Sequence, residues 1–238
     1  LLKQSRSDTV FLTWEWMYTW WECFQDNQHL FILTVHDGDE NLVGIAPLCM
    51  DKKRIGGIPI LNYIKFLGTM PTSSDHLDFI IFPGMERETL AAIIDHLFQE
   101  NKWELCLLSN IPISSLTGKL LKEIMGNKPF QSEVSQACPY ISLPARIEDF
   151  HSSLSKKMRN RIKRERRNLN KKHKDIDFVI WEIPKSIDDA MERLFKLHEN
   201  RWMVMKHKGN FFKSNIRKFH KKIARIFLNS DMLRLYFL

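Results

Sequence analysis

The sequence predicts an α/β fold of mixed sheets with helices packed on their faces. Large apolar residues recur at helical spacing over residues 14–24, whereas residues 30–35 and 42–50 are strand-like and flank the polar turn 37–41. Strands and helices alternate further along the chain, which is the order expected when helices cover a sheet of mixed strand direction.

Residues 1–146 are predicted to form the first of two units. Thr13 is of the residue type that caps a helix starting at Trp14, and Gly126 with Asn127 is typical of the end of a later helix. The predicted helices cover residues 14–24, 86–100 and 115–125, and the predicted strands cover residues 30–35, 42–50, 58–67, 77–82, 104–109, 130–135 and 140–143.

A long basic helix over residues 147–174 is predicted to link this unit to a second one, residues 175–238. The second unit is expected to contain a strand, a helix capped by Ser186, another helix and a final strand. Its end repeats a pattern of the first unit, because Phe227 and a polar turn precede a strand as Phe24 and a polar turn do.

Charge divides the chain in the same way. Residues 1–150 hold 12 Lys and Arg against 19 Asp and Glu, whereas residues 151–238 hold 24 against 9. Such asymmetry indicates two parts with different roles. No apolar run approaches the roughly 20 residues that a membrane-spanning helix needs. The chain starts at Leu1 and its last strand has no predicted partner, so it is expected to be part of a longer protein.

The four cysteines are predicted to be buried free thiols, because each lies in an apolar or strand-like segment and none belongs to a CxxC pair. Unpaired thiols favour a reducing compartment, and we therefore expect a cytoplasmic protein. No Cys or His spacing indicates a zinc site, so no metal is expected.

Several segments together resemble a known family. They are 11–16 with Trp20 and Trp21, 42–48, 67–68 followed by 74–79, the basic stretch 154–167, and His198, Arg201 and Trp202 with 233–235. In this order they are similar to the CelD-like, cellulose-biosynthesis-associated acetyltransferases of the GNAT superfamily, which are related to the Fem-type peptidoglycan aminoacyl transferases.

The resemblance implies tandem GNAT-like domains, the second of them truncated at the C-terminus. The first would cover residues 1–146, the basic linker helix residues 147–174, and the incomplete second domain residues 175–238. It implies an acyl-CoA donor such as acetyl-CoA and a polar acceptor with an amine or hydroxyl, in bacterial envelope or exopolysaccharide metabolism. The sequence leaves the acyl group, the acceptor and the oligomeric state open.

The donor site is expected beyond Leu238. GNAT folds hold the donor pyrophosphate on a Q/R-x-x-G-x-G/A turn that opens a helix, where backbone N–H groups face the phosphates. The stretch from Arg54 to Pro59 is close to this motif, but Pro59 replaces the last small residue and the stretch joins two strands. It is predicted to be a hairpin turn. This chain alone is predicted to bind acyl-CoA weakly or not at all and to be incomplete as a catalyst.

Asp75, His76 and Asp78 are the candidate catalytic residues. A carboxylate or imidazole beside a cleft can accept a proton from the acceptor group. If residues 75–78 form a regular strand, His76 and Asp78 lie on one face and Asp75 on the other. The alternative interpretation is a polar loop in which Asp75 binds turn N–H groups.

Two further groups are candidates for substrate binding. His198, Arg201 and Trp202 lie on one side of a predicted helix, although Trp202 is also a natural core residue. Arg159 and Lys163 belong to the basic helix and are candidates for binding a phosphorylated ligand.

The basic helix itself has several interpretations. Residues 156–174 contain eleven Lys and Arg and one acidic residue, Glu165. These charges form a solvated face, or they contact a partner: the acidic first half, a phosphorylated ligand, an anionic membrane face or a nucleic acid. Glu165 falls on the apolar stripe and would need an Arg or backbone partner if buried. The alternatives to an acyltransferase are therefore a nucleic-acid-binding protein, without sequence selectivity because base-reading and stacking residues are sparse, and a scaffold of a polysaccharide-synthesis complex.

Overall fold

A computed structural model describes residues 1–72, 74–100, 102–173, 175–182, 186–207 and 209–238. Among these residues the helices are α1 (Trp14–Phe24), α2 (Glu86–Gln99), α3 (Leu116–Met125), α4 (Ile147–Ser153), α5 (Lys156–Lys172), α6 (Ile187–Val204) and α7 (Ser214–Asn229). The strands are β1 (His29–His36), β2 (Leu42–Ile55), β3 (Ile58–Phe66), β4 (Ile80–Ile81), β5 (Leu105–Leu107), β6 (Val179–Trp181) and β7 (Leu235–Phe237).

The main sheet has the strand order β1-β2-β3-β5, with β4 paired to the first part of β2. The β1–β2 and β2–β3 pairs are antiparallel, whereas β3 and β5 are parallel. The predicted mixed α/β architecture is therefore confirmed. A second sheet consists of the antiparallel pair β6–β7.

The turn from Arg54 to Pro59 is a hairpin, as predicted. β2 ends at Ile55, β3 begins at Ile58, and Gly56 and Gly57 between them both have positive φ angles of 58° and 85°. Two consecutive residues with positive φ are the requirement of the two-residue turn that joins twisted antiparallel strands. The segment therefore opens no helix.

Two predictions of secondary structure are wrong. The basic helix is not continuous over 147–174, because Leu154 and Ser155 are extended and the Ser155 hydroxyl accepts a hydrogen bond from the Met158 N–H, so that a new helix starts. The predicted strands 130–135 and 140–143 are instead exposed chain without regular structure. A strand needs a partner for its backbone groups, and the described residues pair none with these segments.

The core lies on both faces of the main sheet. On one face α2 approaches β2 so closely that a Cβ atom added to Gly44 would lie 2.2 Å from the Thr89 methyl carbon. On the other face α1 places Trp20, which is fully buried, against the sheet, and the N-cap Thr13 starts this helix as predicted by accepting the Trp16 N–H. Helix position is thus fixed by large side chains meeting small ones.

The chain divides into two compact units. One contains α1, α2, α3, the main sheet, α6 and α7. The other contains α4, α5 and the β6–β7 pair. Within the unit that contains the main sheet, α7 packs on α1: Trp16 lies against Phe219 and Phe227, and Phe24 lies against Phe219.

None of the described helices is long and apolar enough to cross a membrane.

Candidate functional site

The loop between β3 and β4 is held at Thr69 and Ser74 by hydrogen bonds from three side chains, two of them buried and one partly buried. The Trp16 indole N–H donates to the Ser74 hydroxyl at 2.9 Å, and the Trp20 indole N–H donates to the Thr69 carbonyl at 2.9 Å. The Asn110 amide donates to the Ser74 carbonyl at 2.7 Å. Because hydrogen bonds of this kind are costly to break, Thr69 and Ser74 are held in place.

Asp78 lies at the base of this loop and is 2% exposed. Its carboxylate accepts the Phe79 N–H at 2.8 Å and the Ser7 hydroxyl at 3.2 Å, and it also accepts hydrogen bonds from Ser115 and Thr117 at the start of α3. Burial raises the pKa of Asp78 above its ordinary value, although the hydrogen bonds from these donors oppose the shift. Asp78 therefore ties the loop to α3.

Asp75 and His76 are exposed at the outer end of the loop. His76 has a φ angle of 54°, and regular strand structure begins only at Ile80. The predicted strand alternation is therefore wrong here: Asp78 points into the protein, His76 lies at its surface, and no hydrogen bond joins the two side chains in the described structure. The left-handed backbone at His76 is what interrupts the alternation.

His198 and Trp202 are brought together as neighbours on one face of α6. The Trp202 indole N–H donates to His198 Nε2 at 2.8 Å, so the imidazole proton resides on Nδ1, which is buried without a hydrogen-bond partner in the described structure. The ring of Phe211 lies 4.6 Å from the imidazole. Burial lowers the pKa of His198, and the charge of Arg201 lowers it further.

Gly209 makes this arrangement possible. A Cβ atom at this position would lie 2.2 Å from His198 Cε1 and 2.7 Å from Trp202 Cδ1, so any larger residue would displace both rings. Arg201 is exposed on the same helix. Of the three predicted residues, two form a packed pair and the third presents its guanidinium at the surface.

Arg159 and Lys163 lie on α5, in the other unit. The Arg159 guanidinium donates to the carbonyls of Ser152 and Leu154 and so satisfies backbone groups at the end of α4. Lys163 is exposed. Glu165 is exposed as well, and its Oε1 atom lies 3.1 Å from a guanidinium nitrogen of Arg164. It is therefore not a buried carboxylate and needs no buried partner.

Sequence reasoning missed one cluster of titratable groups, on the face of the main sheet that α1 covers. Asp51 Oδ2 accepts hydrogen bonds from the Tyr63 hydroxyl at 2.9 Å and the Lys65 ammonium at 2.8 Å. Burial alone would raise the pKa of Asp51, but the hydrogen bonds from Lys65 and Tyr63 outweigh it and the pKa is lowered. Burial opposes the charge of Lys65 as well, yet Asp51 raises the pKa of that ammonium above its ordinary value.

Strand pairing creates this cluster, since Asp51 is opposite Tyr63 and Cys49 is opposite Lys65. The signal in the sequence is the alternation of polar residues along two strands of one predicted hairpin. Counting outward from Gly56 and Gly57 would nevertheless place Asp51 opposite Asn62, because the register shifts by one residue at Lys53 and Arg54.

Comparison with protein families gives one match. Residues 156–238 match the family described as Acetyltransferase (GNAT) domain. The C-terminal region therefore carries the GNAT acetyltransferase signature that the resemblance indicated, and this signature includes α5, α6 and α7. A GNAT domain indicates acyl transfer that depends on acyl-CoA. Neither the curated proteins nor the solved structures provide a significant match.

Proposed function

We propose that the protein transfers an acyl group from acyl-CoA to an amine or hydroxyl of a polar acceptor. The match of residues 156–238 to a GNAT acetyltransferase domain carries this proposal. In such chemistry the protein aligns the acceptor with a thioester, polarises the thioester carbonyl through strand N–H groups and removes a proton from the attacking group. The acceptor nitrogen or oxygen bonds to the acyl carbon as the thioester C–S bond breaks, and CoA leaves as the free thiol.

The first half is proposed to be a related GNAT-like unit, in tandem with the matched one. A repeated backbone arrangement supports the duplication: α1 is followed by Asn27 with a φ angle of 58° and then β1, and α7 is followed by Asp231 with a φ angle of 58° and then β7. The proposed boundaries remain 1–146, 147–174 and 175–238.

Reciprocal contacts between α1 and α7 also support it. Trp16 and Phe24 are eight residues apart on α1, as Phe219 and Phe227 are on α7. Trp16 contacts Phe227 and Phe24 contacts Phe219, while Trp16 and Phe219 meet between them. Two related helices packed antiparallel about a local two-fold axis give this pattern, as in an isologous dimer interface.

Asp75 and His76 are proposed to serve the acceptor end of the reaction. His76 is the proton acceptor in this scheme, since its exposed imidazole can reach the attacking group of an acceptor. Asp78 holds the loop to α3 and acts through its position. A well-defined loop with reactive side chains at its tip reduces the cost of orienting them.

Arg201 on α6 is proposed to bind an anionic group of a substrate, because an exposed guanidinium binds phosphate or carboxylate oxygens well. For α5, taken by itself, Arg159 and the exposed Lys163 are proposed to bind a phosphorylated ligand. The bonded pair His198 and Trp202 is proposed to shape the substrate side of α6. Donor binding through the turn at Arg54 is not part of the scheme, because that turn opens no helix.

The test is consumption of acetyl-CoA by the full-length protein, including the residues expected beyond Leu238, followed as free CoA thiol, with amino sugars, amines and sugar hydroxyls as acceptors. His76→Gln is expected to lower kcat at least about 100-fold, the usual effect of losing a general base, whereas His96→Gln, on the exposed side of α2, keeps full activity. Arg54→Ala is expected to leave the donor affinity unchanged. Absence of thioester consumption with every acceptor class would overturn the proposed function, and an active His76→Gln would overturn the role of His76.

A further inference from the structure

α5 differs from every other long helix of the described chain in having no buried residue. Ten of its 17 residues are Lys or Arg and one, Glu165, is acidic. Like charges at such spacing repel one another in water, so the helix gains stability from any partner that supplies negative charge. The acidic Glu165 already pairs with Arg164 and offsets little of this charge.

The apolar residues of α5 form one narrow stripe. Met158, Ile162 and Leu169 follow each other at helical spacing on one face and are 42%, 40% and 38% exposed. At 3.6 residues per turn, Arg159 and Arg166 border this stripe on one side. On the other side Glu165, paired with Arg164, lies at the edge of the stripe, and Arg161 and Lys172 lie next to it. The remaining basic residues cover the opposite side of the helix.

We propose that α5 binds a membrane surface rich in anionic lipid, lying in the plane of the headgroups with its apolar stripe turned towards the acyl chains. An amphipathic helix with a dense basic face and an apolar face is the arrangement that binds such surfaces. Four to eight Lys or Arg on one amphipathic helix suffice for electrostatic binding to anionic lipid, and α5 carries ten.

Charge complementarity alone would also fit a nucleic acid, but the stripe favours lipid. A helix in a nucleic-acid groove places charged and hydrogen-bonding residues on its inner face, where they reach phosphates and base edges. On α5 the uncharged polar residues Asn160, Asn168 and Asn170 are scattered over different sides, and no aromatic residue is present to stack on a base. Of these two partners, the lipid surface alone gives the three apolar side chains an apolar environment.

The experiment is sedimentation of the full chain with unilamellar vesicles of phosphatidylcholine, alone or with about one third phosphatidylglycerol. The chain is expected to bind only the vesicles that contain phosphatidylglycerol. This binding is expected to weaken as added salt shortens the electrostatic screening length from about 10 Å at 0.1 M to about 3 Å at 1 M. The combined variant Lys163→Ala, Arg166→Ala, Arg167→Ala and Lys171→Ala is expected to bind at least about 100-fold more weakly.

A matched control removes the same amount of charge from the β2–β3 hairpin and from α3. This combined variant, Lys52→Ala with Lys53→Ala, Lys119→Ala and Lys122→Ala, is expected to bind the anionic vesicles as the unchanged chain does. Since all substituted side chains are exposed, the fold is expected to survive in both variants, which circular dichroism checks. Equal loss in the two variants would mean that net charge and not α5 controls binding, and would overturn the proposal.

The stripe supplies the second, independent test. Ile162→Gln with Leu169→Gln keeps all charges and is expected to lower binding to anionic vesicles about tenfold or more, because two apolar contacts with the acyl region are lost. Binding of this variant at the original affinity, or binding of the unchanged chain to duplex RNA but not to vesicles, would overturn the proposal in favour of a polyanion partner. Acyl transfer does not enter these measurements, so the two proposals can fail separately.

Discussion

Trp16 and Phe219 meet edge to face, with ring centroids 4.9 Å apart and ring planes at 84°. Trp16 is 8% exposed and Phe219 is fully buried. The contact joins α1, near the start of the chain, to α7, near its end. The core of the unit that contains the main sheet therefore depends on residues from both halves of the sequence.

Phe219→Ala is expected to destabilise the protein by about 3 to 5 kcal/mol, because it removes a buried ring and leaves a cavity against Trp16 and Phe24. Chemical denaturation followed by circular dichroism measures the free energy of unfolding. Phe130→Ala, at an exposed position, is the matched control and is expected to change it by less than about 1 kcal/mol. If both variants were equally stable, α7 would not be part of this core.

Asp78→Asn is expected to be tolerated better than Asp78→Ala. The Ser7, Ser115 and Thr117 hydroxyls that donate to the carboxylate can rotate and accept from an amide, whereas alanine leaves them unpaired at a cost of about 1 to 3 kcal/mol.

The pH dependence of this pair follows from the raised pKa of Asp78. When the pKa of a carboxyl group is higher in the folded state than in the unfolded state, the free energy of unfolding decreases as the pH rises above the unfolded-state pKa. Asn lacks this loss, so the difference in unfolding free energy between Asp78→Asn and the unchanged chain should shift in favour of Asn as the pH rises above about 4, the ordinary pKa of an Asp carboxyl. A difference independent of pH would contradict the burial of the charge.

His220 predicts a loss of stability in acid. Burial against Phe211 and Phe219 lowers the pKa of this imidazole to about 4. When folding lowers the pKa of a histidine, the unfolded state takes up the proton first as the pH falls. The free energy of unfolding therefore decreases between about pH 6.5 and about pH 4, for His220 by about 3 kcal/mol. Unfolding free energies measured across this range should fall less steeply for His220→Phe, while Phe130→Ala, at an exposed and non-titrating position, should follow the unchanged chain.

Cys138 is expected to be the first thiol to react with a maleimide in the folded protein, because it is exposed while Cys23 and Cys49 are buried. Burial raises the pKa of Cys49 and of Cys106 to about 12, which keeps both as unreactive thiols. Mass spectrometry after brief labelling should show one adduct, lost in Cys138→Ser. Early labelling of Cys49 would contradict the structure.

The cysteine pattern shows how far local reasoning reaches. Burial was predicted for all four thiols, and it is confirmed for Cys23 and Cys49. It is wrong for Cys138, because its apolar neighbours Tyr140 and Ile141 belong to a segment that pairs with no strand in the described structure and is exposed. An apolar strand pattern predicts burial only when a partner strand exists.

The candidate site shows the same limit. The sequence identified Asp75, His76 and Asp78 as a cluster, but a single left-handed residue at His76 sends Asp78 into the core and leaves its neighbours outside. His198 and Trp202 were placed on one helix face by their spacing, which the structure confirms, because the geometry of an α-helix fixes such neighbours without reference to the rest of the fold.

The sequence by itself determined the features that depend on neighbouring residues. Thr13 starts α1 because its hydroxyl lies within reach of the Trp16 N–H, and the hairpin at Gly56 and Gly57 forms because both residues accept positive φ angles. The division of charge between the halves and the GNAT character of the C-terminal region were also legible in the sequence.

Only the tertiary structure decided which distant residues meet. The one-residue shift at Lys53 and Arg54 brings Asp51 opposite Tyr63, and the packing of α7 on α1 brings Phe219 to Trp16. A bulge changes the register of every pair beyond it. Helix packing is chosen by the burial of apolar area, which favours many partners almost equally until all side chains are in place.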